Sequence, residues 1–99
     1  MSAPAQTEAQ FTAAVREYAL LCGWLFYHTH DSRRSDPGFP DCVLARQGVV
    51  IFAELKVGKG KRTKPQEDWA TAIYPVENSP MMYRLWTPES WPEIEALLR

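Results

Sequence analysis

The sequence predicts a single α/β domain with a mixed central sheet flanked by helices, in the order α-β-β-β-α-β-α. Three observations predict it. Apolar residues recur at helical spacing from Phe11 to Cys22, behind a capping pattern, and a second capping pattern begins at Thr63. Between the two lie three runs rich in β-branched and aromatic residues, bounded by Gly, Pro and Asp. A fourth such run, Met81 to Trp86, follows the second helix.

Taken in order, Thr7 and Gln10 form a capping box, and Phe11, Ala14, Val15, Tyr18 and Cys22 share one face of a helix from about Glu8 to Cys22. Gly23 is a good C-terminal stop. Trp24 to Thr29 is continuously aromatic and aliphatic, which predicts a buried strand. His30 to Pro40 is rich in Asp, Ser, Arg, Gly and Pro and predicts a loop. Asp41–Ala45 and Val49–Val57, joined by Arg46-Gln47-Gly48, predict a β-hairpin. Gly58 to Arg62 is a basic loop. Thr63 and Gln66 make a second capping box, with Pro65 in the first turn of a helix that Pro75 ends. After the fourth strand, Thr87-Pro88 starts a turn, and Ser90 with Glu93 is expected to cap a short last helix through Leu98.

Ninety-nine residues make one domain spanning 1–99, and 45% hydrophobic content with four each of Trp, Tyr and Phe can fill a core without staples. Charged residues at 23% and a net charge of −1 exclude a disordered chain. Cys22 and Cys42 have no metal-ligand or redox spacing and read as reduced thiols of an intracellular protein. Met1 to Gln10 lacks the pattern of a secretory signal, and no apolar run approaches the roughly 20 residues that span a bilayer. A cytoplasmic protein with no membrane association is expected. The charge is unevenly spread: Arg33 to Lys64 holds eight of the eleven basic residues and only three acids. That is either the footprint of a polyanion or a solvated loop. On the first reading Arg33, Arg34, Lys59, Lys61, Arg62 and Lys64 are the phosphate contacts.

The chemistry concentrates between Asp41 and Lys56. Side chains alternate along a strand, so Val49, Ile51, Ala53, Leu55 and Val57 share an apolar face. The other face begins with Val50 and Phe52 and ends with Glu54 and Lys56. Asp41, at the start of the partner strand, can reach the same end of the sheet. Two carboxylates and a lysine suit phosphodiester hydrolysis with Mg²⁺ or Mn²⁺, which take oxygen ligands. Asp41, Glu54 and the backbone carbonyl of Leu55 would be ligands, and Lys56 would orient water or neutralise charge on the phosphate. The alternative is an ordinary exposed Glu54/Lys56 pair. His28 and His30, with Asp31, lack the two further ligands a zinc site needs. Trp24, Trp69, Trp86 and Trp91 are expected in the core.

Gly38-Phe39-Pro40-Asp41, Ala53-Glu54-Leu55-Lys56 and Lys61-to-Gln66 leading into a helix resemble the VRR-NUC branch of the PD-(D/E)XK nuclease superfamily. Supporting context comes from Gly23-Trp24, Tyr27-His28-Thr29, Asp31-to-Ser35 and the Trp86-to-Trp91 ending, so the resemblance covers Glu8 to Leu98. It implies a restriction-endonuclease-like αβββαβ core and a metal-dependent endonuclease acting on DNA, with no organic cofactor. It also implies that Glu8 joins Asp41 and Glu54 at the metal and that Gln66 is a catalytic-site residue. Glu17 is the fallback, although nine residues along a helix turns it to the opposite side. Cys42 departs from the family's larger aliphatic residue and should face the core. Stand-alone members resemble phage-encoded proteins, which would act in the host cytoplasm, and are associated with dimers and branched DNA. A homodimer resolving Holliday junctions is therefore expected, its interface drawn from the flanking helices or the Trp86–Trp91 ending. Two competing readings are a non-catalytic DNA-binding module and an RNA-directed nuclease on the same fold.

Overall fold

The computed structural model describes residues 6–29, 34–73 and 78–99. Helix α1 (Glu8–Leu21) is followed by β1 (Leu25–His28), β2 (Cys42–Arg46), β3 (Val49–Leu55), α2 (Lys64–Ile73), β4 (Met81–Trp86), a 3-10 turn (Pro88–Ser90) and α3 (Trp91–Leu98). The four strands form one sheet in the order β1-β2-β3-β4. The first three make an antiparallel meander, and β4 lies parallel to β3. This is the predicted α/β class: an αβββαβ core with a mixed sheet and a further helix. Pro75 and the sequence from His30 to Arg33 lie outside the described residues.

Both predicted capping boxes form. Thr7 Oγ1 accepts from the Gln10 N–H while Gln10 returns a bond to Thr7 N–H. Thr63 and Gln66 repeat the exchange ahead of α2. The end of α1 is a Schellman motif, with Gly23 N–H donating to Leu20 O and Trp24 N–H to Ala19 O. The hairpin differs slightly from expectation. Arg46 is the last residue of β2, and only Gln47 and Gly48 turn the chain, both at positive φ (50° and 84°). A two-residue turn of this kind matches the twist of the flanking strands.

The core lies between one sheet face and the pair α1 and α3. Phe11, Val15 and Ala19 of α1 and Trp91, Ile94 and Leu98 of α3 pack with Leu44, Ile51, Ala53 and Leu55. Cys42 is fully buried there, as expected, and both cysteines are free. Val49 and Val57 extend the apolar face of β3. On the opposite face, Phe39 packs edge-on against Phe52 of β3 and against Trp69 of α2. Gly38 brings Phe39 there: its φ is +90°, and a Cβ would sit 2.4 Å from the Pro65 carbonyl carbon. No other residue fits so close to the start of α2.

Four expectations need correction. β1 is an edge strand, and Leu25 (76%) and Tyr27 (59%) are exposed rather than buried. An apolar run marks a strand without saying whether a second layer covers it. Ser90 does not cap α3, because its Oγ accepts from the Thr87 N–H; Glu93 pairs with Arg84 instead. The apolar residues of the Trp86–Trp91 ending are core rather than exposed, with Trp86 fully buried and Trp91 at 2%. Arg46 belongs to the scaffold and not to a polyanion footprint. Its guanidinium donates to Cys22 O at 2.9 Å, Leu98 O at 3.0 Å and Arg99 O at 3.3 Å, and lies 4.5 Å from the Trp24 ring. Those carbonyls are the unsatisfied ends of α1 and α3, where a cation is favoured.

Arg46→Met keeps most of the aliphatic stem and removes every donor. It is expected to lower the unfolding free energy by about 2–3 kcal/mol. Denaturant unfolding checks this, and a midpoint equal to the parent's would remove the clamp.

Candidate active site

The second face of β3 ends in Glu54, and the chain there leaves the sheet at Lys56. Glu54 is 1% exposed, although it is an acid. Three neighbours define its surroundings. The Leu55 N–H donates to Asp41 Oδ2 at 2.8 Å, tying the residue before β2 to the end of β3. Gln66 Nε2 donates to Glu54 Oε2 at 2.9 Å. The Lys56 ammonium lies 3.8 Å from the same oxygen. Lys56 is itself fixed through its backbone, whose N–H donates to Trp86 O at the end of β4.

Gln66 does two jobs with one amide. Its Oε1 accepts from Thr63 N–H at 2.8 Å, which closes the capping box, and this orientation turns Nε2 toward Glu54. The cap and the site are therefore a single hydrogen-bonded unit. The predicted capping role is present, and the same side chain reaches Glu54.

These groups line one cleft of about 800 Å³. Glu8, Asp41, Glu54, Lys56 and Gln66 all face it, so the structure brings together every residue predicted as catalytic. His28 stands on its rim. Leu55 reaches the site through its N–H. Glu17 is exposed and is not among the lining residues, as its place on the far side of α1 requires. Trp69, expected in the core, lines the cleft one helical turn beyond Gln66. Its i+3 spacing from Gln66 is the signal that would have found it.

The Glu54 pKa is raised from 4.5 to about 8, first by burial, then by the neighbouring Asp41 carboxyl, and with a smaller contribution from Glu8. Lys56 opposes them. When both acids are ionised neither can donate, and the buried Glu54 Oε1 has no hydrogen-bond partner. A proton or a cation answers the same need. Among the described residues no three His, Cys, Asp or Glu side chains form a ready metal cluster. A hard divalent cation such as Mg²⁺ takes one or two carboxylates together with waters. Asp41 and Glu54 fit that description, with Glu8 across the cleft. His30 and Asp31 of the zinc alternative lie outside the described residues.

The basic residues divide. Lys59 and Lys61 are exposed in the loop between β3 and α2. Arg62 lies over the Tyr83 ring at 5.7 Å. Lys64 pairs with Asp68 on the surface, a contact too solvated to hold it from another anion. Arg34 is exposed beyond the cleft, and Arg33 lies outside the described residues.

No protein-family model, curated protein or solved structure matches this chain.

The raised Glu54 pKa has a thermodynamic consequence. Between pH 4.5 and about 8 the folded protein keeps a proton that the unfolded chain has lost. The stability contributed by this group is whole below pH 4.5 and is lost as pH rises through about 8. Metal-free protein is expected to lose about 1.4 kcal/mol per pH unit from this group over that range. Glu54→Gln, which cannot ionise, should flatten the dependence. Denaturant midpoints at pH 5, 7 and 9 test it; equal slopes in parent and variant would mean that Glu54 ionises freely when folded.

Proposed function

We propose that this protein is a Mg²⁺- or Mn²⁺-dependent nuclease that hydrolyses phosphodiester bonds in DNA. The observation that carries the reading is the Glu54 carboxylate. It is 1% exposed, adjoins Asp41 in the cleft, and has one oxygen without a donor and the other near Lys56. A buried carboxylate beside a second, half-buried acid and a lysine is a poor device for stability and a good one for holding a divalent cation beside a phosphate. The resemblance to VRR-NUC nucleases supports the same reading.

Asp41 and Glu54 would hold the cation by oxygen, with Glu8 available from α1. When bound, the cation polarises the scissile phosphate and lowers the pKa of a water. Asp41 is held in place by the Leu55 amide and Glu54 by Gln66, so neither carboxylate has to be ordered on substrate binding. Lys56 orients the attacking water or neutralises charge developing on the phosphate. Lys59 and Lys61, with Arg62 beside them, draw the DNA backbone to the cleft without reading sequence.

Cleavage of linear, flap and four-way-junction DNA, with and without Mg²⁺, is the test. Activity is expected only with Mg²⁺ or Mn²⁺. Glu54→Gln, Asp41→Asn and Lys56→Ala should each lower the single-turnover rate by at least about a hundredfold while the fold is retained. Full activity in excess chelator would falsify the metal mechanism. Parent-like cleavage by Lys56→Ala would assign its role elsewhere.

The finer reading is a homodimer that resolves branched DNA such as Holliday junctions. A junction needs two opposed incisions about a two-fold axis, and one chain supplies one set of Asp41, Glu54 and Lys56. A twofold dimer supplies the second through one self-complementary surface. With the Trp86–Trp91 ending buried, Leu20 and Leu21 of α1 and Leu25 of β1 are among the exposed apolar residues. Light scattering at micromolar concentration is expected to give the mass of two chains and the gel to favour the junction. A monomer mass, with and without junction DNA, would remove the dimer.

A further inference from the structure

A second groove, of about 590 Å³, runs between α1 and the edge strand β1. It is continuous with the catalytic cleft, because Glu8, Tyr27 and His28 line both. Ala9, Ala13 and Phe26 give it an apolar lining, and Arg16 closes its far end. Glu8 and Arg16 are eight residues apart on one helix, so the groove extends about 12 Å from the cleft. Arg16 is exposed and makes no ion pair or side-chain hydrogen bond among the described residues. Tyr27, 59% exposed on the edge strand, stands at the junction of the two spaces. Neither residue has an evident structural task.

The geometry points to a binding track for an unpaired DNA strand, leading from the scissile phosphate to Arg16. The inference rests on the nuclease reading and specifies its substrate: DNA with a single-stranded segment next to the bond that is cut. Three features select this occupant. The volume is that of a small-ligand pocket, and an unpaired strand, unlike the two paired strands of a duplex, can lie in it. An exposed aromatic ring at one end and a cation at the other is a combination that holds single strands, by stacking and by phosphate attraction. The position also separates it from the basic loop, which borders the cleft where β3 hands over to α2. The paired part of a substrate has its phosphate contacts at that loop, and the unpaired part leaves along β1.

The test is a fluorescence-anisotropy titration of metal-free protein with blunt duplex DNA, the same duplex carrying a 3′ or 5′ single-stranded overhang, and the single strand alone. One overhang polarity is expected to bind more tightly than blunt duplex. Tyr27→Ala should lower the ratio of overhang to blunt affinity by about fivefold or more. Arg16→Gln should lower it too, and reduce the log–log salt slope for the single strand by about 0.7. Ala13→Trp, at an exposed helical position, fills the groove without touching the core and should remove the overhang preference. Circular dichroism on each variant establishes that the fold is kept. A parent protein without overhang preference, or variants that weaken blunt and overhang DNA equally, would overturn the track. Cleavage is scored separately. Overhang preference lost in the variants, in a protein that cuts no DNA with Mg²⁺ or Mn²⁺, would keep the track and sink the nuclease. Metal-dependent cutting with an unchanged affinity ratio would do the reverse.

Discussion

Glu54 must be kept under a sheet end with 1% of its surface exposed, and the neighbouring architecture is organised by that demand. Moving a carboxylate out of water costs several kcal/mol unless charge and hydrogen bonds compensate. Lys56 compensates one oxygen in part, Gln66 donates to it, and the second oxygen is left without a donor. Each compensating group is fixed by a different element. Lys56 is anchored through its backbone to the end of β4, and Gln66 is anchored through the cap of α2. Asp41, which aggravates the repulsion, is held against β3 by the Leu55 amide. The protein thus keeps the acid close to another acid by rigid bonds. It meets the cost with a raised pKa in the absence of a cation.

The scaffold separates this unfavourable site from the source of stability. One face of β3 packs Ile51, Ala53 and Leu55 into the core under α1 and α3, with no exposed surface. The other face of the same strand carries Phe52 and Glu54. Strand alternation alone assigns these residues to opposite sides, so core packing and the charged site share a backbone without sharing space. Arg46 completes the separation at the far end of the hairpin, where it gathers the carbonyl ends of α1 and α3. Basic residues here have distinct tasks according to where the chain ends them: scaffold at Arg46, site at Lys56, exposed cation at Lys59 and Lys61.

Much of this was legible in the sequence, for identifiable reasons. The alternation in Val49–Val57 marks the core face and the Glu54/Lys56 face, because strand periodicity is a backbone property. Thr7 with Gln10 and Thr63 with Gln66 mark helix starts, because capping boxes are local. What was not legible depends on partners distant in sequence. Leu25 and Tyr27 read as buried from their neighbours, and only the strand order makes β1 an edge. Arg46 counted as one more cation until packing brought it to three carbonyls more than twenty residues away on either side. Ser90 had the right spacing to Glu93, but Thr87 N–H was nearer, and Glu93 met Arg84 across the chain. The second role of Trp69 follows once Gln66 is known to face the cleft.

Gln66 joins the local and the distant parts of this account. As a capping residue it is replaceable by Glu, which accepts the same bond from Thr63 N–H. As a neighbour of Glu54 it is not, because a third carboxylate would meet an oxygen already close to Asp41. A glutamine supplies an acceptor and a donor on one planar group, so the start of α2 sets the direction of Nε2. The basic loop from Gly58 to Arg62 runs directly into that cap. Any change in the loop that disturbs Thr63 therefore reaches Glu54 through two hydrogen bonds, at 2.8 and 2.9 Å. The path is short, and it links the segment that carries the exposed lysines to the carboxylate at the centre of the cleft.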